Sequence, residues 1–168
     1  MARTPRILVI SDRKRAGKSL VGEMLAELTD GTSCSVSDSL EHALLWLSGM
    51  VGVQSPAEKD DIRRQQLYHL GLCMEVRDPL VWIRHSLAEH NVVTGVRTAE
   101  AYDAAMGAAL FDCVVFVCSD RGSQDEHFDI GDSCEQEVVR NWCDTDLDAL
   151  RQQCVHLVDS LKERNPQC

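Results

Sequence analysis

Eight residues near the amino end, Asp12-Arg-Lys-Arg-Ala-Gly-Lys-Ser19, finish as a phosphate-binding loop finishes. Such loops follow the pattern G-x-x-x-x-G-K-[ST], and their chemistry follows from residue type and order. Backbone N–H groups of the turn, at the start of a helix, cradle phosphate oxygens. Lys18 is placed to reach the β- and γ-phosphates of ATP, and Ser19 to set its hydroxyl on Mg²⁺. The candidate ATP site is therefore Asp12, Arg13, Lys14, Arg15, Ala16, Gly17, Lys18 and Ser19. Asp12 stands where the pattern has its first glycine. Aspartate tolerates left-handed backbone better than most residues, but a carboxylate facing phosphates repels them. Turned away, it could instead hold Arg13 or Arg15.

Other residues suit the remaining tasks of phosphoryl transfer. Thr94-Gly-Val-Arg-Thr98 ends an apolar run, so Arg97 lies beyond the carboxyl end of a strand, where α/β sheets bind ligands. A guanidinium fork matches phosphate oxygens, which makes Arg97 a candidate for the acceptor. The alternative is a surface arginine paired with Glu100 or Asp103. Arg63, Arg64 and Arg77 form a local basic group in an acidic chain, and they join the acceptor candidates. Against this, they could lie on a solvated helix face with i,i+4 pairs. Asp38 follows a short second strand; its carboxylate suits taking a proton from a hydroxyl or holding Mg²⁺ through water. Its alternative is a helix cap shared with Ser37. Arg121, in a polar stretch, is a candidate lid arginine closing on the transferred phosphoryl group. His127, Cys118 and Cys134 are spaced too loosely for a metal site.

These side chains need elements to hold them. Arg6–Ser11 reads as a buried parallel strand. Lys18–Leu28 carries apolar residues at helical spacing. Cys34-Ser-Val predicts a second strand, followed by a helix over Leu40–Leu47 capped by Ser37, Asp38 and Ser39. Ser48–Asp61 reads as a loop. Helices are predicted over Asp60–Glu75, Leu80–Glu89, Ala99–Gly107 and Asp144–Glu163. A central strand is predicted over His90–Val96 and the clearest strand over Asp112–Cys118, with a mobile polar loop over Ser119–Asp132. Alternation of strand and helix predicts an α/β domain with a parallel sheet covered on both faces. One domain over residues 1–168 is expected.

Composition narrows the partners. The 168 residues are 44% hydrophobic, enough for one real core. A net charge of −10 gives no global field for nucleic acid or anionic membrane. The apolar run at the start is too short to span a bilayer. No two of the eight cysteines have C-x-x-C spacing, and several sit in apolar runs, which points to reduced thiols in a cytoplasm.

Taken in order, RILVISDRKRAGKS, SDSLEHAL, LGLCMEVRDPLVW, NVVTGVRTAEAYDA and FDCVVFV resemble the phage deoxynucleoside monophosphate kinases and the wider P-loop nucleoside monophosphate kinase superfamily. DSCEQE and VVRNWCDTDLDAL look like that family's lid end and adenine-side turn. The resemblance implies a three-layer fold with a short lid, here about 119–137, and ATP with Mg²⁺ as cofactors. It implies that Arg97 binds the acceptor, that Asp38 is the carboxylate after the second strand, that Arg77 belongs to the R-x-D-P-x-W-type segment, and that Asn141 lies near the nucleotide base. Departures are Asp12 for the first loop glycine, Gly95 for an aspartate that helps organise Mg²⁺, Cys143 for a glycine, and an acidic lid with Arg121 as its arginine. The expected function is an ATP-dependent kinase on a nucleotide-type acceptor, a deoxynucleoside monophosphate first. One alternative is a phage kinase for the hydroxyl of 5-hydroxymethyluracil in DNA, a base that would be flipped out of a duplex. Another is a nucleotide-binding module without turnover. The expected location is cytoplasmic, the host's if the chain is viral. The residues leave the oligomeric state open.

Overall fold

Ile7–Ile10 forms strand β1, and all four residues are fully buried. β-branched and apolar side chains on both faces mark a strand covered from both sides. The computed structural model describes residues 3–52, 61–130, 136–142 and 144–164. Its sheet has five parallel strands in the order β2-β3-β1-β4-β5. The others are β2 (Ser33–Ser35), β3 (Val92–Thr94), β4 (Cys113–Cys118) and β5 (Glu137–Arg140). Val9 pairs with Thr94 on one side and Val115 on the other. The chain leaves β1 for one edge and returns on the other side at β4, so the topological switch lies at the carboxyl end of β1.

Side chains of β1 alternate between two cores. Ile7 and Val9 pack with Val21 and Leu25 of α1 (Lys18–Leu28) and Leu150, Leu157 and Val158 of α6 (Leu147–Arg164). Leu8 and Ile10 face a core built by α2 (Val36–Val51), α3 (Asp61–Glu75), α4 (Val81–Leu87) and α5 (Ala99–Gly107), with Leu40, Leu67, Trp82 and Tyr102. Each such aliphatic side chain contributes roughly 1.5–3 kcal/mol on burial. The three-layer α/β arrangement predicted from alternation is the observed one.

Strands β2 and β3 and helix α4 have bounds other than expected, β3 being Val92–Thr94 where His90–Val96 is predicted, and three further differences have a local cause. Helix α2 starts at Val36, not Leu40, because Ser35 caps it: its hydroxyl accepts from Ser37 N–H at 3.2 Å while Asp38 accepts from Ser35 N–H at 3.2 Å. It then runs through Ser48–Val51, the start of the predicted loop, and stops at Gly52, whose φ of 70° is left-handed. Strand β5 lies where the sequence reads as lid end and turn. It is a four-residue edge strand with only Val139 fully buried, too short for a periodic signal. Helix α6 begins at Leu147, after Asp146 has capped it by accepting from Ala149 N–H at 2.7 Å.

Burial raises the Cys113 thiol to about 12 and the Cys154 thiol to about 11, so both are inert apolar filling. Cys134, Cys143 and Cys168 lie outside the described residues. Among the described residues no helix is long and apolar enough to cross a membrane.

Candidate functional site

Residues 11–17 connect β1 to α1 at the switch point. Ser11 tightens the turn by accepting from Arg13 N–H at 3.2 Å. The left-handed residues of the loop are Arg15 (φ 63°) and Gly17 (φ 92°); Asp12 is not left-handed. Position 12 therefore does not require glycine's backbone freedom in this loop. Gly17 requires it twice over: a Cβ there would sit 2.4 Å from Asn141 Nδ2. Asn141, 4% exposed, donates from Nδ2 to the Ala16 carbonyl at 2.8 Å. Its own backbone donates to Cys118 O, and Ser119 donates to its carbonyl. Asn141 thus supports the loop from below, off the end of β5.

The amino end of α1 has no side-chain cap and no acid in its first turn. Its N–H groups are open toward an anion. Lys18 Nζ donates to Arg13 O at 2.7 Å, inside the loop. Burial lowers the Lys18 pKa; Asp125 opposes that shift, Arg97 adds to it, and Asp12 opposes it more weakly. Asp12 is therefore within Coulomb reach of the lysine. Ser19, in the first turn of α1, is exposed.

A second segment, Ser119–Ile130, lies against this loop. Lys14 N–H donates to Ser123 O at 2.8 Å and Asp125 N–H to Asp12 O at 2.7 Å. Lys14 Nζ pairs with Glu126 at 2.9 Å, and Arg13 forms a β-bridge with Gln124 and reaches Gly122 O at 3.4 Å. Gly122 (φ 74°) makes the approach possible, since a Cβ there would be 1.7 Å from Lys14 O. On the far side Asp129 N–H donates to Arg97 O at 3.0 Å, and Asp129 accepts from Ala99 N–H. The His127 ring stacks on Tyr68 of α3 at 4.1 Å, and Ile130 is buried in the second core. The described part of the expected lid, Ser119–Ile130, is docked, where the sequence reads as a mobile loop.

Its carboxylate Asp125 was not singled out by sequence. The side chain is 1% exposed, and Oδ2 lies 3.2 Å from Arg97 Nε. The distance is that of an ion pair, yet the Nε–H is not aimed to make a hydrogen bond. In the sequence Asp125 is one acid among several in a polar loop, and only burial distinguishes it.

The fold thus brings together the loop Asp12–Ser19, Arg97 and Asn141. The Arg15 side chain points to solvent. Arg121 donates from Nη2 to Trp142 O at 2.7 Å, which faces it toward the turn before α6. Asp38 serves the α2 capping box. Arg63 is 5% exposed, inside the α3 packing; Arg77 is exposed just past α3. The side chain of Arg64 lies outside the described atoms. Gly95 (φ 89°) has Ser35 Oγ 3.0 Å from where a Cβ would stand, so the end of β3 leaves little room for a side chain there. A separate depression, lined by Arg6, Gly31, Thr32, His90 and Asn91 among others, lies at the amino ends of the strands, opposite the loop.

The arrangement fits a nucleotide triphosphate: open helix amides, a half-buried lysine, and a glycine where a Cβ would collide. No group of three or more His, Cys, Asp or Glu among the described residues forms a metal cage. Asp125 and Asp12 are the carboxylates whose charge reaches the loop lysine.

No protein-family profile and no curated protein matches the chain. Solved structures do. A gluconokinase from Sinorhizobium meliloti 1021 aligns at 17% identity over 96% of each chain, with a TM-score of 0.51. A putative kinase from Chloroflexus aurantiacus J-10-fl aligns at 11% identity over 94% of this chain and 98% of its own, also at 0.51. At these identities the likeness is one of fold: the chain shares the α/β fold of these two solved kinases.

Proposed function

We propose that the chain is an ATP-dependent phosphotransferase whose phosphate site is the loop Asp12–Ser19. The observation that carries this is the uncapped amino end of α1, with Gly17 left-handed at its start and Lys18 half-buried beside it. Lys18 and the α1 amides hold the triphosphate. Arg97, across the cleft, neutralises charge as the γ-phosphoryl group moves. Ser19 would hold a Mg²⁺ bound with ATP, which would supply further charge neutralisation. Arg121, held to Trp142 O, lies at the turn after Asn141, the residue that the resemblance sets near a nucleotide base. The protein contributes position and charge, which is most of what phosphoryl transfer needs.

The acceptor lies beyond the carboxyl ends of β2 and β3, on the side of Arg97 and Arg77. A nucleotide-type acceptor, with a deoxynucleoside monophosphate as the simplest, is the reading that the arginines support. A second reading is an uncharged hydroxyl acceptor. The Arg97–Asp125 pair favours it, because a partly neutralised arginine attracts a phosphate dianion less. The solved gluconokinase of the same fold is consistent with it, and 5-hydroxymethyluracil in DNA is a hydroxyl acceptor too.

The test is transfer from γ-labelled ATP with Mg²⁺ to a panel: deoxynucleoside monophosphates, gluconate and other polyols, and DNA with and without 5-hydroxymethyluracil. Label on a monophosphate supports the first reading, and label on a hydroxyl acceptor the second. ATP bound with no transfer to any acceptor would favour a nucleotide-binding module.

A further inference from the structure

The buried carboxylate of Asp125 accepts from His127 N–H at 3.3 Å through Oδ1, which leaves Oδ2 to face Arg97. It is 1% exposed, 3.2 Å from Arg97 Nε, and the strongest of the charges that favour the protonated form of Lys18. It therefore faces Arg97 directly and is within Coulomb reach of Lys18, the two cations that the reading above gives to the phosphates. A buried ion pair is weak grounds for stability, because desolvation offsets its attraction, and this one lacks hydrogen-bond alignment. The segment that carries it lies outside the sheet and the helices; around Asp125 it is joined to the loop and to the Arg97 turn by backbone bonds from Lys14 to Ser123, from Asp125 to Asp12 and from Asp129 to Arg97. Surface segments of this kind open at lower free energy than core strands and helices do.

We propose that Asp125 is a resident anion that holds the place of the γ-phosphate between Lys18 and Arg97, and so determines which phosphates the site accepts. The inference rests on the phosphate-site reading above. One carboxylate carries a single charge, whereas a terminal phosphate carries about 1.5–2 at neutral pH. A triphosphate reaching both Lys18 and Arg97 displaces Asp125. A diphosphate, which ends short of Arg97, leaves it in place. Asp125 weakens ATP binding more than ADP binding, and it returns to Arg97 once the γ-phosphoryl group has left with the product. Gly122 is part of the device, since only a residue without Cβ lets the segment approach Lys14 O closely enough to seat Asp125.

The experiment is calorimetric titration of wild-type protein and Asp125→Asn with ATP and with ADP, both with Mg²⁺. Asn keeps the shape and removes the charge. Asp125→Asn is expected to bind ATP about tenfold more tightly and ADP nearly unchanged, the difference reflecting removal of one competing charge. Equal or weaker ATP binding by Asp125→Asn, or equal gains for ATP and ADP, would overturn the inference while leaving the phosphate site intact. ATP binding by neither protein would overturn both. Hydrogen exchange on the wild-type chain gives a check free of mutation. ATP is expected to speed exchange at the Asp125 and Asp129 amides and ADP is not; unchanged or slower exchange with ATP would count against the displacement.

Discussion

The side chain of Asn141 donates to the carbonyl of Ala16 at 2.8 Å, joining the turn after β5 to the phosphate loop across 125 positions of sequence. Asn141 is buried, and its amide nitrogen fills the space a side chain at Gly17 would need. Two distant segments thus hold the loop in its turn before any ligand arrives. Asn141→Ala leaves the buried Ala16 carbonyl without that donor, at a cost of about 1–3 kcal/mol. Denaturant unfolding is expected to show that loss, and ATP titration a weaker affinity. An unchanged midpoint would mean that the loop is held by other contacts.

Lys18 gives a pH dependence of defined sign. Burial is the main cause that lowers its pKa, so it loses its proton at a lower pH than an ordinary lysine does. ATP affinity is expected to fall as pH rises through that lowered value. In Lys18→Arg, where the charge persists, affinity is expected to be flat over the same range. The ligand-free fold gains stability with rising pH in the window between the lowered and the ordinary lysine value, because there the unfolded chain binds the extra proton. Titrations across the alkaline range in both proteins check this.

Asp12 is within Coulomb reach of Lys18, while its backbone, not its side chain, holds the docked segment. Asp12→Asn removes charge and keeps the Asp125–Asp12 backbone bond. ATP binding is expected to tighten several-fold, with the gain shrinking at high salt as screening grows. Unchanged or weaker binding would show that the carboxylate faces away from the phosphates.

Gly122→Ala places a methyl group where Lys14 O stands in a left-handed backbone, a strain of about 1–3 kcal/mol. The Ser119–Ile130 segment is expected to come off the loop and become sensitive to limited proteolysis, while the sheet melts nearly as before. Protection equal to wild type would contradict the docking geometry.

Ser35 and Asp38 form the two halves of the α2 capping box. Ser35→Ala and Asp38→Ala are both expected to lower stability, by about 0.5–2 kcal/mol for the serine. A loss of phosphoryl transfer confined to Asp38→Ala would give that carboxylate a catalytic task besides the cap; matching effects in both variants would leave it a cap alone.

Much of this was legible in order and spacing. The run Ile7–Ile10, the loop and the helix from Lys18 announce themselves, because a buried strand, a glycine turn and an amphipathic helix each have a local signature. So does α5, found at its predicted bounds. What stayed hidden depends on partners far along the chain. β5 is a short edge strand that exists through pairing with β4. The start of α2 was misplaced because Ser35, Ser37 and Ser39 are all chemically able to cap, and only geometry selects one. Asp125 gives no signal, since its burial arises from Gly122, Arg97 and the loop together.

The central claim is that the loop ending in Lys18 and Ser19 is the phosphate site. Its most direct test is titration of wild-type protein and Lys18→Ala with ATP and Mg²⁺, after showing that both fold alike. The account predicts binding by the wild type and a loss of at least about tenfold in Lys18→Ala, as expected for removing a charge-assisted contact. Equal affinity in the two proteins would place the nucleotide elsewhere and contradict the account.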